Sequence, residues 1–147
     1  MSTVLSNSEL TRLFAQAIEH LDDPKQLGYA IAGSLKTVTE DNFDAEGRPK
    51  WAGLHPDYKK RRKGGKILFV SGALRDSVVT DVTESEVTIG SNLPYSRLHQ
   101  WGGVPGMRRN ATMPARPYLP FDQAGNLQLE AEDAVTEDAL SFMNAAF

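Results

Sequence analysis

The chain has 147 residues, 24% of them charged and 40% apolar, a composition that suits one ordinary soluble domain over 1–147. It contains no cysteine, which excludes disulfides and thiolate metal sites and leads us to expect an intracellular protein. The net charge of −3 conceals a split: residues 48–66 hold Arg48, Lys50, Lys59, Lys60, Arg61, Arg62, Lys63 and Lys66 against the single acid Asp57, whereas residues 122–147 hold six acids and no Lys or Arg.

The opening stretch, MSTVLSNSEL, lacks the basic and apolar regions of a signal peptide. No apolar run reaches the ~20 residues of a membrane span, so no membrane partner is expected. Ser6 and Glu9 fit a capping box, and Leu10, Leu13, Phe14, Ala17, Ile18 and Leu21 follow on one helical face. Asp23 and Pro24 restart the chain as cap and first helical residue, and Leu27, Ala30, Ile31, Leu35 and Val38 form a second stripe that fades near Asn42 and Phe43. Gly28 and Gly33 weaken that helix by about 1 kcal/mol each relative to Ala.

Residues 44–66, with their glycines, prolines and basic run, read as a long mobile loop, with a short helix starting at Pro56. KILFV (66–70) reads as a short apolar strand and SGALRDS (71–77) as a helical turn. VVTDVT (78–83) and EVTIG (86–90) are β-branched with a period of two, which predicts a hairpin across Glu84 and Ser85. PYSRLHQWGG (94–103) predicts a short helix capped by Gly102, and VPGMRRNATMPARP a loop. Leu119 and Phe121 suggest a brief strand before a DQAGN turn. A last helix over about 130–146 has Ala131, Ala134, Val135, Ala139, Phe142 and Met143 on one face. Helices, then strands, then a helix predict an α+β fold: N-terminal helices and a C-terminal helix packed on a small antiparallel sheet, with the long basic loop to one side.

No constellation of catalytic residues is recognisable. There is no GxSxG elbow, phosphate loop or HExxH motif, and His20, His55 and His99 lie in three separate segments, so no metal and no cofactor are expected. KGGK (63–66) has glycines but lacks the strand–loop–helix context of a phosphate cradle. His99 is either a general acid or base or a packed ring one helical turn from Tyr95; with no Ser, Asp or Glu partner nearby, the structural role is favoured. Trp51, Tyr58, Trp101 and Tyr118 are the large handles that assembly interfaces use. We assign Trp101 to the core and Trp51, in its polar loop, to an interface. The charge split either docks one copy on another or marks two solvated faces.

Four motifs then occur in fixed order: SGxLRxS within ILFVSGALRDSV (67–78), IGSNxxY and HQWGG within VTIGSNLPYSRLHQWGG (87–103), and PARPYL within MPARPYLPF (113–121), preceded by WxxL (51–54) and a lysine-rich stretch. This set, spanning about residues 50–125, resembles the phage virion morphogenesis family, the tail-completion proteins of Mu-like and related contractile-tailed phages. Trp101 stands where many such relatives carry Phe, which keeps an aromatic ring. The resemblance implies a non-enzymatic structural part of the virion, made in the host cytoplasm. It would sit at the head-proximal end of the tail as a tail-completing or terminator ring of six or twelve copies, at the neck between tail tube and head connector. The candidate subunit or partner contacts are Trp51, Tyr58, Tyr95, His99, Arg108, Arg109, Arg116 and Tyr118. In that setting Gly102 and Gly103 allow unusual backbone angles, Pro114, Pro117 and Pro120 stiffen the returning segment, and Arg116 suits a bidentate bond to a carboxylate or a carbonyl pair. Lys59, Lys60, Arg61, Arg62, Lys63 and Lys66 would contact genome DNA passing through such a ring. The alternative is a nucleic-acid-binding protein using that same run (59–66), with salt-sensitive affinity.

Overall fold

The longest helix starts at Asp23, which is extended (φ −134°, ψ 93°) and whose carboxylate accepts the Lys25 N–H at 3.1 Å, while Pro24 takes the first helical position. In this computed structural model the described residues are 23–61, 65–69, 71–104 and 112–146, with helical residues 12, 15, 16 and 19 before them. Apart from those four positions, the expected first helix with its Ser6–Glu9 box lies outside the described residues, as do Arg62, Lys63, Arg108 and Arg109. The described elements are helices α1 (Pro24–Asp44), α2 (Pro56–Arg61) and α3 (Ala73–Asp76), strands β1 (Val78–Val82) and β2 (Val87–Ser91), and helices α4 (Ser96–Trp101) and α5 (Leu129–Ala146). The architecture is α+β, as the element order predicts.

Leu27, Ile31, Leu35 and Val38 recur every three or four residues on α1 and are all buried. They pack against Ala131 and Val135 of α5, with Phe142 and Met143 at the margin. Each such aliphatic side chain contributes roughly 1.5–3 kcal/mol of transfer free energy before the cost of ordering it. The Ser34 hydroxyl donates to the Asp138 carboxylate at 2.7 Å and pins the two helices together. Burial raises the Asp138 pKa, this hydrogen bond lowers it, and nearby Glu137 raises it further.

The strands form a two-stranded antiparallel hairpin in the register Val78↔Ser91, Thr80↔Ile89 and Val82↔Val87. Its turn is closed by the Thr83 N–H donating to the Glu86 carbonyl at 2.8 Å. The expected alternation holds at its start, where Val78 is buried and Val79 exposed. α1 lies against both strands. A second cluster of Phe43, Trp51, Leu74, Val78 and Tyr118 sits beyond the first, and half-buried Ile89 packs against both.

Two expectations need correction. KILFV does not make a strand over its described part: Ile67 and Leu68 form a turn, and Leu68 adopts φ 61°. An apolar run alone does not distinguish a strand from a buried turn. The two tryptophans exchange roles: Trp51 is 8% exposed and belongs to the core, whereas Trp101 is 45% exposed. The cause is tertiary: Trp51 packs edge-on to Phe43, ring centroids 5.9 Å apart, and donates its indole N–H to the Pro117 carbonyl at 2.9 Å. Within the 44–66 segment, read as a long mobile loop, Arg48 is bonded to α1. The Arg48 Nε donates to Asn42 Oδ1 at 2.9 Å and its Nη2 to the Val38 carbonyl at 3.0 Å.

Gly28 explains how α1 approaches the hairpin. A Cβ there would sit 2.5 Å from Val82 Cγ1, whereas one at Gly33 would meet nothing within 4 Å. Val82 is β-branched and has little freedom to turn away. The two glycines should therefore respond oppositely to alanine. Gly33→Ala should raise stability by up to about 1 kcal/mol through helix propensity. Gly28→Ala should lower it by about 1–3 kcal/mol through overpacking. Urea unfolding midpoints of the two variants check this; a shift in the same direction for both would refute the packing argument.

Candidate functional site

Two of the motifs, HQWGG and PARPYL, meet at α4. This helix is short because Gly102 follows it at φ 73°, where its N–H reaches back to the Leu98 carbonyl at 2.8 Å. A Cβ at Gly102 would lie 2.7 Å from the Ala115 nitrogen and 2.8 Å from the Met113 carbonyl oxygen, so the 113–115 backbone lies too close for any side chain there. Gly103 and Met113 exchange a pair of backbone hydrogen bonds at 3.0 and 2.7 Å. The chain beyond Met113 then returns alongside the helix.

α4 has a buried and an exposed face. Ser96 and Gln100, one turn apart, point inward. Gln100 Oε1 accepts the N–H groups of Tyr118 at 3.0 Å and Leu119 at 2.9 Å, and its Nε2 donates to the Phe121 carbonyl at 3.2 Å. One side-chain amide thus holds HQWGG to PARPYL. Tyr118, 1% exposed, donates its hydroxyl to the Ser96 carbonyl at 3.2 Å, and burial raises its pKa. On its other side, Asn42 Nδ2 donates to the Tyr118 carbonyl at 3.1 Å and to Gln128 Oε1 at 2.8 Å. Gln128 Nε2 donates back to Asn42 Oδ1 at 3.0 Å.

Arg116 makes the carbonyl-pair contact that its chemistry suggests. Its Nε donates to the Ala52 carbonyl and its Nη2 to the Gly53 carbonyl, each at 3.0 Å, and its own N–H donates to the His99 carbonyl at 2.7 Å. The WxxL segment is thereby fastened to PARPYL. SGALRDS and IGSN meet in the same way: the Ser77 and Ser91 hydroxyl oxygens are 2.6 Å apart, and Ser77 also donates to the Leu74 carbonyl at 2.6 Å.

His99 is half-buried, edge-on to the exposed Tyr95 ring at 5.7 Å between centroids. Its Nδ1 is buried without a hydrogen-bond partner. Burial lowers its pKa, and the Arg116 guanidinium lowers it further. A general base is normally oriented by a carboxylate and set beside a nucleophile; here the charged neighbour is a cation. Among the described residues no three His, Asp or Glu side chains group as metal ligands, and no helix is long and apolar enough to cross a membrane.

The outward face of α4 carries Tyr95, Arg97 and Trp101. With Leu98, Gly103 and Val104 these line a shallow groove. The arrangement therefore joins a densely bonded inner side to an apolar, aromatic outer one.

A model of the phage virion morphogenesis family matches residues 5–137. The chain belongs to that family. It is similar to the Mu-like prophage FluMu G protein 2 of Haemophilus influenzae, 36% identical over 124 residues that cover 82% of this chain and 83% of the relative. It is also similar to the putative capsid assembly protein G of Escherichia phage Mu, 31% identical over 112 residues, 72% of each chain. No solved structure matches it. Family membership gives the chain a structural part in phage assembly and associates it with the virion.

Within this family member the candidate contact residues separate by burial. Tyr58 and Tyr95 are exposed; Trp51, Arg116 and Tyr118 are buried and hold the surface from behind. Lys59 and Lys60 are exposed on α2, which ends at Arg61, and the Lys66 ammonium donates to the Asp44 carbonyl at 2.8 Å. The sequence reading missed Gln100, Asn42, Gln128 and Arg48. Their one visible signal is that Gln100 falls a turn after Ser96 on α4.

Two measurements follow from this geometry. Iodide should quench the fluorescence of Trp101 and leave that of Trp51 nearly untouched. Trp101→Phe should remove the quenchable emission; retention of that emission would contradict the assignment. For His99, the folded pKa lies below the usual 6.5, so between the two values the unfolded chain binds more protons. Stability is therefore full above pH 6.5 and declines as pH falls through that window. The unfolding free energies of wild type and His99→Gln should diverge or converge between about pH 7.5 and about pH 5, with the variant showing the flatter profile; parallel profiles would show that the imidazole has no such role.

Proposed function

We propose that this chain is a non-enzymatic structural protein of the virion that completes the phage tail at its head-proximal end and joins it, as a ring at the neck, to the head connector. The reading is supported by the family match over residues 5–137 and by the relatives, one named as a Mu-like prophage G protein and one as a putative capsid assembly protein. The observation that carries it is the use of polar groups in the shared motifs. Gln100, Arg116, Ser77 and the Tyr118 hydroxyl are all engaged in bonds within the chain, while the aromatic side of α4 faces outward. Such a division suits recognition of another protein surface. The tail tube, the head connector and further copies of this chain are the proposed partners, and assembly takes place in the host cytoplasm.

Particles made in cells without this protein should appear in electron micrographs as separate DNA-filled heads and separate tails. Infectivity should return when the protein is supplied in trans. Joined, infectious particles formed in its absence would overturn the reading.

A further inference from the structure

The α4 groove and the outer face of α5 complement one another, yet both are exposed. The groove is lined by Tyr95, Arg97, Trp101 and Val104, all exposed. On α5, Leu129, Asp133, Glu137 and Leu140 follow at steps of four, four and three residues, a single row opposite the Ala131–Val135–Ala139 face that packs on α1. The two leucines at the ends of that row are 55% and 45% exposed, which is unusual for leucines on a helix that already buries a full face. Neither Arg97 nor Asp133 nor Glu137 has an ion-pair partner among the described residues; the pair found there is Arg75 with Asp44 at 3.8 Å. From Asp122 onward the sequence offers no cation to neutralise α5.

We infer that the outer row of α5 from one copy docks in the α4 groove of the next. Leu140 and Leu129 then bury against Tyr95, Trp101 and Val104, and Glu137 or Asp133 meets Arg97. The contact is heterologous, between two different patches, so repetition produces a closed ring or an open chain rather than a two-fold dimer. It follows the helix-in-groove pattern, in which apolar anchors spaced along one helix face enter a complementary surface. Trp, Tyr and Arg in one patch are the residue types that dominate such contacts. This inference rests on the proposed ring only in taking the partner to be a second copy. It locates the acidic helix against the aromatic groove and not against the basic run at 59–66.

The cysteine-free sequence allows a direct test. A full-length chain carrying Arg97→Cys and Glu137→Cys is treated with a short thiol-bridging bismaleimide, both purified and within cells making all the tail proteins. The expected result is a ladder of covalent multimers in at least one setting. Each single-cysteine chain should stop at a dimer or below. Adding Trp101→Glu, an exposed position outside the core, should abolish the ladder while circular dichroism remains that of the folded protein. Four results overturn the inference: no multimers in either setting, a ladder unaffected by Trp101→Glu, a bridge formed only within one chain, or linkage only to a different tail protein. If the ladder fails while particles lacking the protein still separate into heads and tails, this contact falls and the neck assignment stands. If the ladder forms but such particles remain joined, the reverse holds.

Discussion

The backbone of Tyr118 is held from two sides: its N–H by the side chain of Gln100 on α4, its carbonyl by the side chain of Asn42 near the end of α1. The described sheet has two strands, so the 116–121 segment has no strand ladder to satisfy its peptide groups. A buried peptide group without a partner costs about 1–3 kcal/mol. Side-chain amides do here what a neighbouring strand would do, because each offers both donors and an acceptor in one plane. Gln100 satisfies three backbone groups, and Asn42 and Gln128 close the other side as a reciprocal pair that Arg48 joins.

That arrangement determines what the outer surface can do. With Gln100 and Ser96 locked inward, the rotation of α4 about its axis is fixed, and Tyr95, Arg97 and Trp101 must face outward. Arg116 fixes the 52–53 backbone behind the same helix. A surface held in this way loses little conformational freedom on binding, and preorganisation of that kind raises affinity without adding a contact. The conspicuous residues of the motifs thus divide between two tasks. Trp51, Arg116 and Tyr118 shape the site from within, and Tyr95 and Trp101 stand exposed on its surface.

The features written in hydrophobic period were legible in the sequence. The α1 and α5 stripes, the hairpin and the Gly102 cap all depend on local spacing or on one residue's conformational range. The turn after Phe121 was legible for the same reason: Asp122 Oδ1 accepts the Ala124 and Asn126 N–H groups at 2.9 Å, a local Asx pattern. What could not be read was anything decided by distant partners. Trp51 sits among polar neighbours in sequence, yet its core contacts come from Phe43 and Pro117. Asn42, Gln100 and Gln128 carry no periodic signal, since a buried amide and a solvated one look alike until the partner chain segment is placed. The motif resemblance did identify the right stretches, but it could not say which residues in them face inward.

The charge split acquires a definite meaning once magnitudes are compared. At physiological ionic strength the screening length is ~8 Å, so the acids of α5 influence a partner mainly within the last few ångströms of approach. An exposed ion pair such as the proposed one between Arg97 and Glu137 contributes about 0–1 kcal/mol. A tryptophan desolvated at the centre of an interface contributes about 2 kcal/mol or more. In the proposed contact, charge therefore decides which face meets which, and apolar contact decides how long they stay together. Since the acids and the aromatic groove lie on different elements of the same chain, the proposed attraction would select head-to-tail contact, and like-charge repulsion would disfavour α5 packing on its own copy. For a chain that adds to its own copies in one direction, as proposed, that asymmetry would count for more than a large electrostatic energy.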